Sequence, residues 1–375
     1  MNITIITATY NEKGNIEKLI KILEEEVFPR IKNHRMDILV ADDNSPDKTG
    51  EVVKKLMEKW KNLHISQGPK MGLGAAYVRA MTYAVEKLNA DLMFEIDADL
   101  QHDPHKIPQF IEKIEQGNDM VVGNRYSDGG SIPENWPLIR KIFSVVANLF
   151  VRIVFTDFAI HDWTGGYRAI KKEVFLKEKS ELNNYAGYIF QISFLHKAVR
   201  DGFKIGEVPF NFTDRTLGNS KIAPLNYITD VVSYVVVSRV KELLFGKFGK
   251  FLVVGGTGFI INFVAYNVLS HAYVSLPLWI ANTIGAELAI FSNYNLNNLW
   301  TFRENMVKTS GAYFSKMLQF FLTSNVGVFI FQNGIIALGE KMYGRNYKNT
   351  YFLVGTALLL VWNFAIYNMV IWKKK

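Results

Sequence analysis

Apolar and polar positions alternate with two different periods in the first part of the chain. Short apolar runs rich in β-branched residues have the length of buried strands. The segments between them repeat apolar residues every three or four positions, which is typical of amphipathic helices. This order predicts an α/β domain whose parallel sheet carries helices on both faces. The strand-like runs are 3–8, 36–41, 63–66, 92–96 and 120–123.

The pattern changes after Lys247, where four long apolar runs follow one another. Each is long enough to cross a hydrocarbon core of ~30 Å, which takes about 20 residues. The runs lack a polar face and contain almost no Lys or Arg, which argues against buried helices of a large soluble core. We therefore predict four transmembrane helices, at 251–273, 276–300, 317–338 and 351–372.

Two segments before the apolar runs have an intermediate character. The segment 138–155 is interrupted by Arg140, Lys141 and Arg152, yet it is too apolar for an ordinary surface helix. A helix lying in the membrane interface, with its cations toward the headgroups, accounts for both properties. The segment 222–246 is similar, and a partly buried helix of the soluble domain is the alternative for each. The predicted regions are a soluble domain at 1–221, an amphipathic linker at 222–246 and a transmembrane domain at 247–375.

Basic residues in the short loops predict the orientation in the membrane, because cytoplasmic loops carry an excess of Lys and Arg. One side has Lys247, Lys250, Arg303, Lys308, Lys316 and Lys373 to Lys375, and the other has Lys341, Arg345 and Lys348. This excess places the soluble domain and both termini in the cytoplasm. The chain begins directly with a strand-like run, so we expect no signal peptide.

Composition narrows the possible partners of the 375-residue chain. Its net charge of +8 suits a protein at an anionic membrane surface, and no motif indicates nucleic-acid binding. The chain contains no cysteine, which excludes disulfides and thiolate metal sites.

The clearest candidate chemistry follows the strand-like run 92–96. Asp97 and Asp99 stand two residues apart where the run ends, and Gln101 follows two residues later. Ligands of open parallel sheets bind at the carboxyl ends of strands, and oxygen-only ligands suit Mg²⁺ or Mn²⁺ completed by substrate phosphates. We interpret the three residues as a metal-diphosphate site. The alternative is a pair of turn acids that solvate a strand end.

Other strand ends carry residues suited to a nucleotide. After the first strand, Tyr10 offers an aromatic face and Glu12 offers oxygens that accept hydrogen bonds from hydroxyls. Asp43 follows the second strand as a partner for the base, and Lys70 follows the third as a cation. Each signal is weak alone, because these residue types are common in turns. Their joint position at one sheet edge favours a nucleotide site. The turn 68–74 does not spell G-x-G-x-x-G, which argues against a dinucleotide fold.

Four motifs together resemble the inverting family 2 glycosyltransferases of the GT-A fold. They are Tyr10-Asn11-Glu12, Asp42-Asp43-Asn44-Ser45-Pro46-Asp47, Gly72-Leu73-Gly74 and Asp97-Ala98-Asp99-Leu100-Gln101-His102. The last motif and Gly123-Asn124-Arg125-Tyr126 are most similar to the dolichol-phosphate mannose synthase branch of that family. The resemblance implies a GDP-mannose donor, Mg²⁺ or Mn²⁺, and dolichyl or another polyprenyl phosphate as acceptor.

The resemblance also implies roles for individual residues. The implied catalytic residues are Asp97, Asp99, Gln101 and Arg125, and the metal ligands are the first three. The implied donor-binding residues are Ala8, Tyr10, Glu12, Asp42, Asp43, Lys70, Asp97, Ala98 and Asp99. The acceptor phosphate is assigned to Arg125, Ser127, Arg140, Arg168, Arg215 and Lys221, since Arg can bind phosphate with two donors. Gln191 stands where relatives that glycosylate hydroxyls have an acid, and a phosphate nucleophile needs no base.

The apolar half is similar to the GtrA-like membrane family. The similarity rests on Phe251-Leu252-Val253-Val254-Gly255-Gly256 and on the segment 293–302. Glu287 is a carboxylate inside a predicted span, where it serves either a function or a polar neighbour. Two alternatives to mannose transfer stay open. One is another nucleotide sugar, such as UDP-glucose, and the other is a lipid-sugar flippase with a regulatory nucleotide-binding domain.

Overall fold

The computed structural model describes residues 1–182, 188–213, 225–271, 276–303, 306–307 and 309–366. The chain divides into two compact units, Met1–Arg239 (unit 1) and Val240–Lys375 (unit 2).

Unit 1 is built on one sheet, which has seven strands among the described residues. The strands are β1 (Asn2–Thr9), β2 (Arg35–Asp42), β3 (Leu63–Gln67), β4 (Leu92–Glu95), β5 (Met120–Asn124), β6 (Arg168–Lys171) and β7 (Ile205–Pro209). Their order across the sheet is β3-β2-β1-β4-β6-β5-β7. The predicted α/β class is confirmed, and each strand run predicted from the sequence is present to within about a residue or two at its ends.

One strand that the sequence did not predict runs against its neighbours. β1, β2, β3 and β4 pair in parallel as predicted, but β6 is antiparallel to both β4 and β5. The connection from β5 to β6 returns to the edge at which β5 ended, so β6 must run back through the sheet in the opposite direction.

Helices cover both faces of the sheet. The helices up to residue 245 are α1 (Lys13–Ile22), α2 (Thr49–Leu56), α3 (Leu73–Lys87), α4 (Ile107–Glu115), α5 (Leu138–Phe155), α6 (Lys172–Leu182), α7 (Tyr188–Arg200) and α8 (Leu225–Phe245). Successive strand residues point to opposite faces. Accordingly, Ile5 of β1 packs in the cluster with α1, α2 and α4, whereas Ile6 packs in the cluster with α3, α6 and α7.

Helix α5 coincides with the segment predicted to be interfacial. One of its sides is in the core through Val151 and Phe155, and Asn148 is buried with them. The opposite side exposes Leu138, Ile139, Ile142, Phe143, Val145, Val146, Leu149 and Ile153. Leu138 is 73% exposed. A run of exposed apolar side chains on one helix face is typical of a surface that meets a membrane or another apolar partner.

The regular secondary structure of unit 2 is all helical among the described residues. Its helices are α9 (Lys247–Leu269), α10 (Leu278–Leu296), α11 (Ser310–Gly327), α12 (Gly334–Tyr343) and α13 (Lys348–Ile366). Wider π-helical turns extend α10 over Asn297–Thr301 and join α11 to α12 over Val328–Asn333. The third predicted span, 317–338, is therefore part of a longer helix. Two described helices, Phe248–Leu269 and Ser310–Tyr343, could cross a membrane by length and composition, and the count of four stays a prediction.

Candidate active site

The acidic motif lies in the turn that follows β4. Asp99 is 3% exposed, and its Oδ1 accepts a hydrogen bond of 3.1 Å from the backbone N–H of Gln101. Leu100 between them has φ of 62°, so the chain turns back here and is not extended. The side chain of Asp97 is 41% exposed. The turn therefore holds one carboxylate in a fixed, shielded position and leaves the other partly exposed.

His102 fixes the start of this turn. Its Nδ1 accepts a hydrogen bond of 3.1 Å from the backbone N–H of Asp97, and its ring stacks on Tyr167 with centroids 5.1 Å apart. Burial lowers the pKa of His102 to about 4, although the charge of Asp99 opposes the shift. The imidazole is therefore neutral at physiological pH, which is the state that can accept the Asp97 N–H.

Gln101 connects the acidic turn to the chain after β7. It is 6% exposed, and its Nε2 donates to the carbonyl of Thr213 at 3.0 Å. No group of three or more His, Cys, Asp or Glu side chains among the described residues could hold a metal ion. The available donors are the two carboxylates and the Gln101 amide oxygen. Such an all-oxygen set fits a hard cation that also takes oxygens from a substrate diphosphate.

Two residues predicted at separate strand ends come together at the surface. Tyr10 follows β1 and Lys70 follows β3, and the Lys70 Nζ lies 3.5 Å from the centroid of the Tyr10 ring. Tyr10 is 38% exposed, so the pair lies at the surface. Ala8 lies in β1, two residues before Tyr10. Ala98 is buried, and it stands between the two acidic residues in the sequence.

The three other acids predicted to bind the donor, apart from Asp97 and Asp99, differ in their surroundings. Asp42 is 1% exposed and accepts hydrogen bonds from Thr9 and Ser45, so it holds the loop together. Asp43 is paired with Arg79 of α3 at 2.8 Å. The Glu12 carboxylate accepts from the Asn15 amide at 2.8 Å.

Arg125, predicted to bind the acceptor phosphate, is held by a buried acid. Its Nε and Nη2 donate to the two oxygens of Asp162 at 2.7 and 2.9 Å, and Nη2 also donates to Thr164 at 2.9 Å. Asp162 is fully buried. Burial favours its neutral form, but the charge and hydrogen bonds of Arg125 outweigh this and lower the pKa of Asp162. The two residues form a fixed bidentate pair, and the Arg125 side chain is only 10% exposed.

Arg168 does not lie where an acceptor phosphate could reach it. It is 0% exposed, and its guanidinium donates to the carbonyls of Gly165 and Gln191 at 2.9 and 2.7 Å. Burial lowers its pKa to about 10. The structure thus contradicts the assignment of Arg168 to the acceptor. Its register partner in β4 is the buried Glu95, whose pKa is raised to about 7 by burial, with the nearby charge of Arg168 acting in the opposite direction.

Comparisons with known proteins agree with this geometry. Residues 4–177 match the model of glycosyl transferase family 2, and residues 250–372 match the GtrA/DPMS transmembrane domain. The Dolichol-phosphate mannosyltransferase of Pyrococcus furiosus is 32% identical over 88% of this chain and 88% of its own length. The chain belongs to glycosyl transferase family 2. Because it carries the GtrA/DPMS transmembrane domain, this glycosyltransferase is a membrane protein.

Other relatives of this family 2 glycosyltransferase match over less of the chain. The Polyprenol monophosphomannose synthase of Mycolicibacterium smegmatis is 34% identical over 59% of this chain and 81% of its own. Among solved structures, mannosyl-3-phosphoglycerate synthase from Rubrobacter xylanophilus is 17% identical, with a TM-score of 0.44 over 65% of this chain and 74% of that chain. Glucosyl-3-phosphoglycerate synthase from Mycobacterium tuberculosis in complex with Mn²⁺ and UDP-glucose is 18% identical, with a TM-score of 0.43 over 64% and 78%.

Four further residues were assigned to the acceptor of this glycosyltransferase, and the structure describes two of them. The backbone N–H of Ser127 donates to the Asn124 side chain at 3.2 Å, and the Arg140 guanidinium stacks on Trp136 at 3.7 Å. Arg215 and Lys221 lie outside the described residues.

Three polar residues that support this site were not predicted. Arg79 pairs with Asp43, Asp162 pairs with Arg125, and Asn148 forms hydrogen bonds with the loop 163–164. Only Asn148 had a signal in the sequence, as an amide within the apolar segment 138–155.

Proposed function

We propose that this family 2 glycosyltransferase transfers mannose from GDP-mannose to the phosphate of dolichyl or another polyprenyl phosphate, with inversion at the sugar carbon. One observation carries the proposal: the relative named Dolichol-phosphate mannosyltransferase aligns over 88% of both chains, across catalytic and membrane parts alike. The acidic turn after β4 and the exposed Tyr10–Lys70 pair support a nucleotide-sugar donor.

On the donor side, Asp97, Asp99 and the Gln101 amide oxygen are the residues that would hold Mg²⁺ or Mn²⁺. A bound divalent cation supplies positive charge opposite the leaving diphosphate, and stabilisation of this kind usually contributes most to the rate of such reactions. Lys70 adds a cation near the diphosphate, and Tyr10 offers a flat face to the nucleotide. Asp43, fixed by Arg79, is the acid that we assign to the base or ribose.

On the acceptor side, the polyprenyl phosphate attacks as an anion and needs no general base. Gln191 of α7 is 2% exposed and cannot take a proton, which agrees with this requirement. Arg125 is the cation that we place next to the acceptor phosphate, with Ser127 in the same loop and Arg140 at the start of α5. Asp162 keeps the Arg125 guanidinium oriented before the substrate arrives.

The lipid acceptor accounts for the exposed face of α5. We assign the apolar side chains of this face, from Leu138 to Ile153, to the cytoplasmic interface of the bilayer. Arg140, at the first turn of the same helix, would then lie at headgroup level. Confinement of the site to this layer raises the local concentration of the lipid phosphate.

A product assay tests the proposal directly. The purified full chain is incubated with dolichyl phosphate and radiolabelled GDP-mannose, UDP-glucose or other nucleotide sugars, and the lipid phase is extracted. We expect label in lipid with GDP-mannose alone. Transfer should stop with EDTA and return with Mg²⁺ or Mn²⁺. Label from UDP-glucose instead would change the donor, and no label from any nucleotide sugar would contradict the proposed activity.

A further inference from the structure

Unit 2 contains a cavity of about 90 Å³ between its helices. At about 15 Å³ of such space per water molecule, the cavity has room for about six waters, or for a group close to one hexose in size. Its lining includes apolar residues such as Phe251, Phe259 and Phe352. The polar lining residues are Asn262, Asn293, Asn297, Gln332, Thr356 and Asn363.

Five amide oxygens in this lining have no hydrogen-bond partner and are shielded from solvent. They belong to Asn262, Asn293, Asn297, Gln332 and Asn363. Asn297 and Gln332 are each 1% exposed, and Asn262 is 6% exposed. Buried acceptors without partners are costly and rare, so five in one cavity indicate that groups with donors, either water or the hydroxyls of a ligand, complete them.

The orientation of two of these amides follows from their neighbours. The Thr356 hydroxyl donates to the Phe352 carbonyl at 2.8 Å, so it must accept the 2.8 Å bond from the Gln332 Nε2. The Gln332 oxygen is therefore the atom left for a ligand.

The same logic fixes Asn262. The Thr283 hydroxyl donates to the Trp279 carbonyl at 2.8 Å and accepts from Asn333 at 3.0 Å. Asn333 in turn accepts from Asn282 at 2.6 Å, and Asn282 accepts from the Asn262 Nδ2 at 3.2 Å. Each amide in this series of hydrogen bonds donates through its nitrogen to the next residue. The series begins at Asn262, so the Asn262 oxygen is left without a partner.

The backbone makes room for these polar groups. A Cβ at Gly258 would collide with the Asn293 amide, and one at Gly285 would collide with the Asn262 oxygen. Asn297 and Gln332 lie in the two π-helical turns, 297–301 and 328–333. Such wide turns inside α-helices occur frequently at functional sites.

We propose that this cavity binds an uncharged, hydroxyl-rich group, the hexosyl head of a glycolipid. Among the described residues, the lining contains no Lys, Arg, His, Asp or Glu that could bind a phosphate, and Glu287 is not part of it. Sugar hydroxyls supply the donors that the amide oxygens lack, while the phenyl rings suit the C–H faces of a sugar. The choice of a lipid-linked hexose rests on the proposed function, in which unit 1 makes such a molecule.

Photo-crosslinking on the full chain tests the proposal. The probe is a polyprenyl phosphomannose with a diazirine on its sugar, and labelled peptides are located by mass spectrometry. We expect label within 251–263, 286–297 or 328–332. A sugar-free polyprenyl phosphate carrying its diazirine near the phosphate, and a free diazirine hexose, should label these peptides at least about tenfold less.

Adjacent glycines of α9 provide a matched pair of variants. A Cβ at Gly255 or at Gly256 would meet no atom within 4 Å, but only Gly255 lines the cavity. Gly255→Leu should reduce label in unit 2 at least about tenfold, whereas Gly256→Leu should stay within about twofold of the parent. If Gly255→Leu does not fold, Thr356→Val removes the partner of Gln332 at almost the same volume, with Thr257→Val as its control.

Several outcomes would overturn the proposal. These are label confined to unit 1, equal label from the sugar-free probe or from the free hexose, and equal loss in the two glycine variants. Transfer activity is measured on the same samples. Normal transfer without label in unit 2 overturns the cavity proposal alone. Sugar-dependent label in unit 2 without any transfer overturns the proposed function and supports the cavity.

Discussion

The proposed donor side and the proposed acceptor side of the active site are built in different ways. The donor side comes from the ends of β1 to β4, within residues 8–101, and its residues stand beside their own strands. The acceptor side depends on partners distant in sequence, such as Asp162 for Arg125 and Asn148 for the loop 163–164. On the donor side, a residue's position at a strand end therefore indicates its role. On the acceptor side, the role of a residue depends on the buried residue with which it pairs.

Two arginines that the sequence analysis assigned to the acceptor show why this matters. In the sequence, Arg125 and Arg168 both stand near the end of a strand-like or glycine-rich segment. In the structure, Arg125 keeps 10% of its side chain exposed and is oriented by one carboxylate, whereas Arg168 is fully buried against backbone carbonyls. Burial of a charge is tolerated only with such partners, and the partners then exclude a substrate.

The largest effect is expected on the donor side, at Asp99. Asp99→Asn keeps an acceptor for the Gln101 N–H but removes the charge needed by a cation. We expect transfer to fall by about 10²–10³-fold, with little change in thermal unfolding. The measurement is the initial rate of lipid labelling at saturating Mn²⁺.

Asp103→Asn is the control for this variant, because Asp103 is a nearby acid that caps the turn before α4. It should retain most of the activity. Near-normal transfer by Asp99→Asn would show that Asp99 is not a metal ligand. It would also contradict the donor half of the comparison.

The next effect concerns the pair Arg125–Asp162. Arg125→Met leaves a buried carboxylate without its partner, which costs about 3–5 kcal/mol of folding free energy. Adding Asp162→Asn should recover most of the melting temperature. In the double variant, we expect the KM for dolichyl phosphate to rise about tenfold or more, which is the loss of one charged phosphate contact, while the KM for GDP-mannose changes little.

Two results separate structure from function at this pair. If the double variant recovers both melting temperature and acceptor KM, Arg125 only supports the fold. If its donor KM rises instead, Arg125 belongs to the donor side and the division between the two sides is wrong.

A smaller effect is expected at the Tyr10–Lys70 pair. Lys70→Met removes the charge and keeps a flexible side chain of similar length. We expect the KM for the nucleotide sugar to rise about 3–10-fold, as for one exposed cation, with the acceptor KM unchanged. Lys13→Met, at the start of α1, is a control in the same region. A change in acceptor KM would contradict the assignment.

The smallest effect is expected at Glu178 of α6, away from both sides. Burial and the charge of Asp201 raise its pKa to about 7, opposed by Arg200 at 3.8 Å. A raised carboxyl pKa stabilises the fold below the unfolded value near 4.5, and this contribution is lost as pH rises toward 7. Glu178→Gln should therefore be about 1 kcal/mol more stable than the parent at pH 8 and similar at pH 5.

Thermal unfolding of the two proteins at pH 5 and pH 8 measures this difference. The transfer rate should not change at either pH. A change in rate would mean that the titration of Glu178 reaches the active site.

The sequence predicted which strand ends meet at one edge of the sheet, because the topology of the sheet brings them together without further information. The motif after β4, the Tyr10–Lys70 neighbourhood and the helix 138–155 all follow from local pattern. The direction of β6 and the burial of Arg168 could not be predicted, because they depend on how residues far apart in sequence pack. The same holds for Asp162 and for the unpartnered amides of unit 2, since a lone Asp or Asn gives no sign of its neighbours.

The strand order has a consequence for how the chain folds during synthesis. β3, β2, β1 and β4 are adjacent and parallel, and they lie within residues 2–95. This half of the sheet can therefore assemble once these residues have left the ribosome. β5 cannot dock beside it until β6, at 168–171, is available to stand between them. Because domains and subdomains form in chain order as the ribosome releases them, we expect the nucleotide-binding half to exist before the lipid-binding half is made.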